Sequence, residues 1–289
     1  MDAVPYAFCD AVAAQFWDVW RYKNTFASTI WNGAFNENFK RRTEMTLSIS
    51  CNDGVWSYTI MTKNPRHSLT FQELQGMNRK YLRFDEIRIA CETNQNPTSF
   101  EEVKEMVKLS LPCINSSQLC VDTTNAFSQY ELEYILRLYR KSSFGNVSSE
   151  SNKTGQFLIA QLQSPVLKNL TIVSSAVSAE LNAAFQNFLL NGNYEFVHYA
   201  VTNRKFDLKF LEGLFARPLQ KPTSPTILVL LYGTFEFSDL KKFQKKLLIK
   251  KERYGCVWKR EDGTKITIYE GYARNLYRIN FFCDVNAKV

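Results

Sequence analysis

One pattern recurs through the middle of the chain and restricts its fold more than any other feature: apolar, two residues of any kind, apolar, one of any kind, apolar. It reads Phe84, Ile87, Ile89 in FDEIRI and Leu167, Leu170, Ile172 in LKNLTI. It returns as Tyr194, Val197, Tyr199 in YEFVHY, and as Phe144, Val147 in FGNVSS, where Ser149 weakens the third place. Leu119, Val121 in SQLCV and Val229, Leu231 in TILVLL are weaker copies. The anchors at 87, 119, 147, 170, 197 and 229 are spaced by 32, 28, 23, 27 and 32 residues. α/β repeats use spacings in this range.

Helical periodicity fills most of the intervals. Phe100, Val103, Val107 and Leu111 predict a helix over 99–111, and Leu132, Ile135, Leu136 and Tyr139 another over 129–140. Val177, Leu181, Phe185, Phe188 and Leu189 do so for 176–190, and Leu208, Leu211, Leu214 and Phe215 for 206–216. Thr98 ahead of Glu101 and Glu102, and Ser178, mark starts. Gly192 marks a stop. Strand, helix and strand at these intervals imply parallel strands, because each crossover needs a dozen or more residues. The strand pattern is the leucine-rich-repeat signature in loosened form. Each unit alone leaves an apolar face uncovered, and stacking buries it. The expected fold is therefore an α/β solenoid of leucine-rich-repeat-like βα units with strands on the concave side. An open α/β sheet built from the same βαβ units is the alternative.

The flanks differ. Residues 45–62 alternate apolar and polar around Asp53-Gly54, which predicts a hairpin. CVWKREDGTKITIY repeats that design around Asp262-Gly263, and NLYRINFF adds a third strand. Such an antiparallel meander would cap the last strand edge of the solenoid. Ahead of the first hairpin, Phe8, Val12, Phe16 and Val19 form one helical stripe, and Trp31, Phe35 and Phe39 a second. Pro5 suits the first turn of a helix. The expected domains are a helical segment at 1–42, the hairpin plus βα repeats at 43–250, and the meander cap at 251–289.

Composition narrows the function. Of 289 residues, 45% are hydrophobic, enough for a substantial core. Asp2 and Asp10 stand where a signal peptide would be basic, and no run of about 18 apolar residues occurs. A cytoplasmic or nuclear chain with no membrane partner is expected. Seven scattered cysteines without a CxxC pair are then reduced thiols, and sequons at Asn115, Asn146, Asn152 and Asn169 are chance matches. The net charge of +8 concentrates at Lys40, Arg41, Arg42 and at 241–251. Leu240, Phe243 and Leu247 fall at i, i+3, i+7, so the second cluster reads as a solvated helix face, and nucleic acid is not the expected partner. No phosphate-binding loop, nucleophile elbow or HExxH motif is present. The two histidines, His67 in a loop and His198 in a strand, read as structural or exposed. Glu101 and Glu102 serve a helix start. No catalytic residue, metal or cofactor is expected, and the chain reads as a protein that binds proteins.

The first residues sharpen that reading. VPYAFCDAVAAQF followed by TIWNGAFNENFKRR resembles a degenerate F-box, which opens on Leu-Pro and closes on a Trp-containing helix with basic residues. Val4-Pro5 stands for Leu-Pro, Phe8 and Val12 fit the first helix, and Trp31 with Arg41 and Arg42 fits the end. With the GVWSYTI hairpin, the repeat-like middle and the WKREDGTKITI tail, nearly the whole chain resembles a nematode-expanded group of F-box-like proteins. The chain departs from the F-box where FWDVWRYKNTF replaces a leucine-rich helix. The resemblance implies an adaptor of a Skp1–cullin ubiquitin ligase. Val4, Pro5, Phe8, Val12, Phe16, Trp31 and Phe35 would meet a Skp1-like protein, and the repeats would hold a protein substrate. A scaffold without any ligase link, the helices serving only as a cap, is the other expectation.

Overall fold

The computed structural model describes residues 4–16, 26–52, 54–63, 65–90, 96–114, 117–122, 127–217, 226–244, 247–251, 255–261, 263–270 and 276–282. Among the described residues the chain is mixed α/β, with fourteen strands and nine α-helices. It divides into two compact units. The first holds residues 1–120, 125–128 and 142–144, and the second 121–124, 129–141 and 145–289. No described helix is long and apolar enough to cross a membrane.

The first unit opens on α1 (Tyr6–Gln15) and α2 (Thr29–Arg41). The hairpin follows as β1 (Thr43–Asn52) and β2 (Val55–Thr62), with Asn52 opposite Val55. Gly54 sits at φ 79°, the left-handed conformation a tight turn needs. Asp53 lies outside the described residues. β3 (His67–Leu69), α3 (Phe71–Gly76), β4 (Leu82–Ala90), β5 (Asn96–Thr98), α4 (Phe100–Ser110) and β6 (Ser117–Asp122) complete the unit's elements. The sheet order is β3-β2-β1-β4-β6, with β5 on β2. β4 runs parallel to β1, pairing Ile87 with Leu47 and Ile89 with Ile49, all fully buried. α4 begins one residue later than Thr98 suggests. Ser99 Oγ accepts from Glu102 N at 3.2 Å, while Thr98 Oγ1 donates to the Glu102 carboxylate at 2.6 Å.

The second unit carries α5 (Gln129–Tyr139), β7 (Phe144–Ser149), α6 (Gly155–Leu162), β8 (Asn169–Ser174), α7 (Ala179–Asn191), β9 (Phe196–Val201), α8 (Leu208–Ala216) and β10 (Thr226–Tyr232). β7, β8, β9 and β10 are parallel. The repeat's anchors face one another in register: Val147 opposes Leu170, Leu170 opposes Val197, and Val197 opposes Val229. The third positions make a second row of Ser149, Ile172, Tyr199 and Leu231. Side chains alternate along a strand, so positions two apart share a face. Both rows are buried. Phe185 of α7 stacks on Tyr199 at 3.9 Å, joining helix to strand.

After β10 come α9 (Phe237–Leu240), β11 (Leu248–Lys251), β12 (Gly255–Lys259), β13 (Lys265–Glu270) and β14 (Leu276–Phe282). The order β10-β14-β13-β12-β11 is antiparallel throughout, so the last strand covers the edge of β10. Gly263 takes φ 84° at the β12–β13 turn, and Asp262 lies outside the described residues. The basic stretch 241–251 is not one helix face. α9 ends at Leu240, Gln244 turns to φ 45°, and Leu248–Lys251 pairs with β12. Sheet hydrogen bonding outweighs the helical periodicity there. Lys241, Lys242, Lys250 and Lys251 still point to solvent, and Leu240 and Phe243 are buried.

Two devices end α7. Gly192 keeps φ −76°, not a left-handed angle, and a Cβ there would lie 2.5 Å from the Phe188 carbonyl oxygen. Close approach, not turn geometry, requires the glycine. Arg217, itself buried, donates to the carbonyls of Leu189 at 2.8 Å and Gly192 at 3.0 Å, and covers the Tyr194 ring at 4.4 Å. A cation at a helix C-terminus satisfies carbonyls that have no intrahelical donor. Cys9, Cys51, Cys113 and Cys256 are buried, and Cys120 is half-buried. Cys91, Cys283, Asn115 and Val19 lie outside the described residues.

Candidate functional site

The helix pair α1–α2 is built around small residues. Cys9 and Ala13 of α1 meet Ala34 and Phe35 of α2, with Val4, Phe26, Ile30 and Trp31 packed around them. Short side chains at the contact let the helices approach closely. Pro5 stands at the N-cap rather than inside the first turn, and its carbonyl accepts from Phe8 N at 3.0 Å and Cys9 N at 3.3 Å. Asn32 exchanges two hydrogen bonds with the Phe26 backbone, at 3.1 and 2.5 Å, which fixes the start of α2. Asn38, buried, donates to Asp10 Oδ1 at 2.7 Å and to the Ala34 carbonyl at 3.0 Å. Asp10 also pairs with Lys80, tying the pair to the turn at Arg79–Tyr81. The Lys80 ammonium and the Arg41 guanidinium stand 5.2 and 5.6 Å from the centre of the Tyr81 ring.

Large side chains are left outside this small core. Phe8 is 56% exposed and rests edge-on against Trp31, ring centres 6.2 Å apart. Phe16 is 36% exposed, with its edge on Phe35 at 5.3 Å. Trp31 is half-buried between Phe26 and Phe35. Pro5 is exposed, and Val4 and Val12 are half-buried. Phe35 is 1% exposed, so it supports the aromatic surface from beneath and does not line it. Tyr6 and Phe39 are exposed beside these residues in sequence. Tyr6 escaped the sequence reading because it breaks the i, i+4 stripe. Burial, followed by the Asp10 and Glu37 carboxylates, raises its phenol above the ordinary value. Residues 17–25, within the FWDVWRYKNTF segment, lie outside the described residues.

A second surface lies on the parallel strands of the second unit. Opposite the buried rows, Asn146, Asn169, Phe196 and Leu228 share one register row, and Ser148, Thr171, His198 and Leu230 the next. All eight are half-buried. The face is polar on β7 and β8, where Asn169 donates to Asn146, and apolar on β9 and β10 except at His198. His198 lies between Thr171 and Leu230, its Nε2 buried without a hydrogen-bond partner among the described residues. Burial lowers its basicity, which favours the neutral imidazole.

Comparison of the chain with family models, curated proteins and solved structures gives no match.

Proposed function

We propose that the chain is a non-enzymatic adaptor of a Skp1–cullin-type ubiquitin ligase, acting in the cytoplasm or nucleus. Its helix pair takes the part of an F-box, and its βα units stack as a leucine-rich-repeat-like solenoid that holds a protein substrate. The observation that carries this reading is the aromatic surface of α1–α2, where Phe8 stays 56% exposed although Trp31 stands beside it. A Phe left in water forgoes roughly 1.5–3 kcal/mol of burial, which a docked partner recovers. A standard interface covers about 800 Å² per partner, and two short helices with Val4, Pro5, Phe8, Val12, Phe16 and Trp31 supply an apolar centre for one. The adaptor forms no bond; it raises the local concentration of a client near the ligase.

The test is a titration of the full chain with a purified Skp1-like protein. Binding is expected, and Trp31→Ala weakens it by about 2 kcal/mol or more, the size of a hot spot. Absence of binding by the intact chain ends the proposal. The pairing of Asp10 with Lys80 and Asn38 favours a second reading, in which the helices only cap the rest of their unit. In that case removal of residues 1–42 unfolds the chain while Phe8→Ala alters no interaction.

A further inference from the structure

Within the second unit a groove of about 400 Å³ opens between α5 and α6. Its charge is lopsided. Arg137 and Arg140, one turn apart on and just beyond α5, and Lys153, just ahead of α6, bring three cations to it. Glu133 is the one acid among the lining residues, and Gln129 Nε2 already donates to it at 2.7 Å. Neither arginine forms an ion pair among the described residues; Arg137 lies over the Tyr134 ring at 5.1 Å. The floor is apolar, made by the buried Leu136 and Phe157.

The first turn of α6 forms part of the same wall. Thr154, at its N-cap, makes no capping bond, because its hydroxyl is engaged with Ser149 Oγ at 2.8 Å and donates to the Ser151 carbonyl at 2.9 Å. A Cβ on Gly155 would meet nothing within 4 Å, so this helix start borders open space. Arg137 and Arg140, which form no ion pair among the described residues, focus a positive potential into the concavity. The partial positive charge of the helix start adds to that potential.

We infer that this groove binds a phosphomonoester dianion carried on an organic ligand. Guanidinium groups match phosphate oxygens in pairs, which suits Arg137 and Arg140 to the anion. The Leu136–Phe157 floor gives the carbon part of the ligand a surface to cover, which a bare ion does not need. The inference stands apart from the adaptor proposal, since it uses no residue of the helix pair and no ligase.

The experiment is calorimetric titration of the full chain with inorganic phosphate, a nucleoside monophosphate, a hexose phosphate and a phosphoserine peptide, each organic probe beside its unphosphorylated parent. Saturable binding of at least one phosphorylated organic probe is expected, tighter than that of inorganic phosphate, and the tightest arm identifies the source of the dianion. Arg137→Gln and Arg140→Gln should each weaken it about tenfold or more, since each removes charge-assisted hydrogen bonds to the dianion. Both side chains are exposed, so both variants should melt as the parent does. The inference is overturned if no phosphorylated probe saturates, if phosphorylated and unphosphorylated probes bind alike, or if both arginine variants bind as the parent does.

Discussion

The helix pair α1–α2 and the parallel strands β7–β10 solve opposite packing problems. In the helices the interior is made of Cys9, Ala13, Ala34 and one large ring, Phe35, while Phe8, Phe39 and Tyr6 remain exposed. Among the strands and their helices the large rings go inside: Phe144, Phe185, Tyr194 and Tyr199 are all buried. Aromatic content is therefore no guide to where this protein gains stability. In the second unit most of the large rings of the strands and helices contribute burial, with Tyr130 an exposed exception. In the helix pair a substantial part of them contributes surface, and a polar tie from Asn38 to Asp10 joins the two helices beside their small apolar core.

Substitutions can break that contrast. The largest effect should come from Phe185→Ala, which removes a fully buried ring stacked on Tyr199. A loss of about 3–5 kcal/mol in urea unfolding is expected. Arg217→Met should follow, at about 1–3 kcal/mol by the same measurement, because the Leu189 and Gly192 carbonyls lose their donor. Phe8→Ala should shift stability by no more than about 0.5 kcal/mol, as befits an exposed residue. If Phe8→Ala instead unfolded the chain as readily as Phe185→Ala, the helix pair would be a core like the other, and its aromatic surface would have no binding role to explain.

Much of the strand–helix alternation was legible. Anchors chosen only by their apolar spacing, Val147, Leu170, Val197 and Val229, turn out to oppose one another strand by strand. The period of a strand is short and rigid, so six residues suffice to reveal it. α6 was overlooked although Phe157, Leu158, Gln161 and Leu162 carry a helical spacing, because the segment is short and apolar nearly all round. The lysine-rich stretch misled for a different reason. Leu240, Phe243 and Leu247 have helical spacing, but β12 offers hydrogen bonds that a four-residue strand accepts. The groove between α5 and α6 left little trace in the sequence, since Arg137, Arg140 and Lys153 look like ordinary solvated charges until two elements are brought together.

For the candidate docking surface the division is sharper still. Periodicity alone grouped Phe8, Val12 and Phe16 on one stripe and Trp31, Phe35 and Phe39 on another. It could not say that Phe35 goes inside while Phe8 and Phe39 stay out. A stripe states which residues share a side of a helix, which is a property of backbone geometry and local order. Which side is covered depends on what packs against it, and here Cys9, Ala13 and Ala34 win that place because their small side chains allow the closer approach. Local sequence determined most of the elements and their apolar faces; only tertiary packing decided which faces became interior and which remained available to a partner.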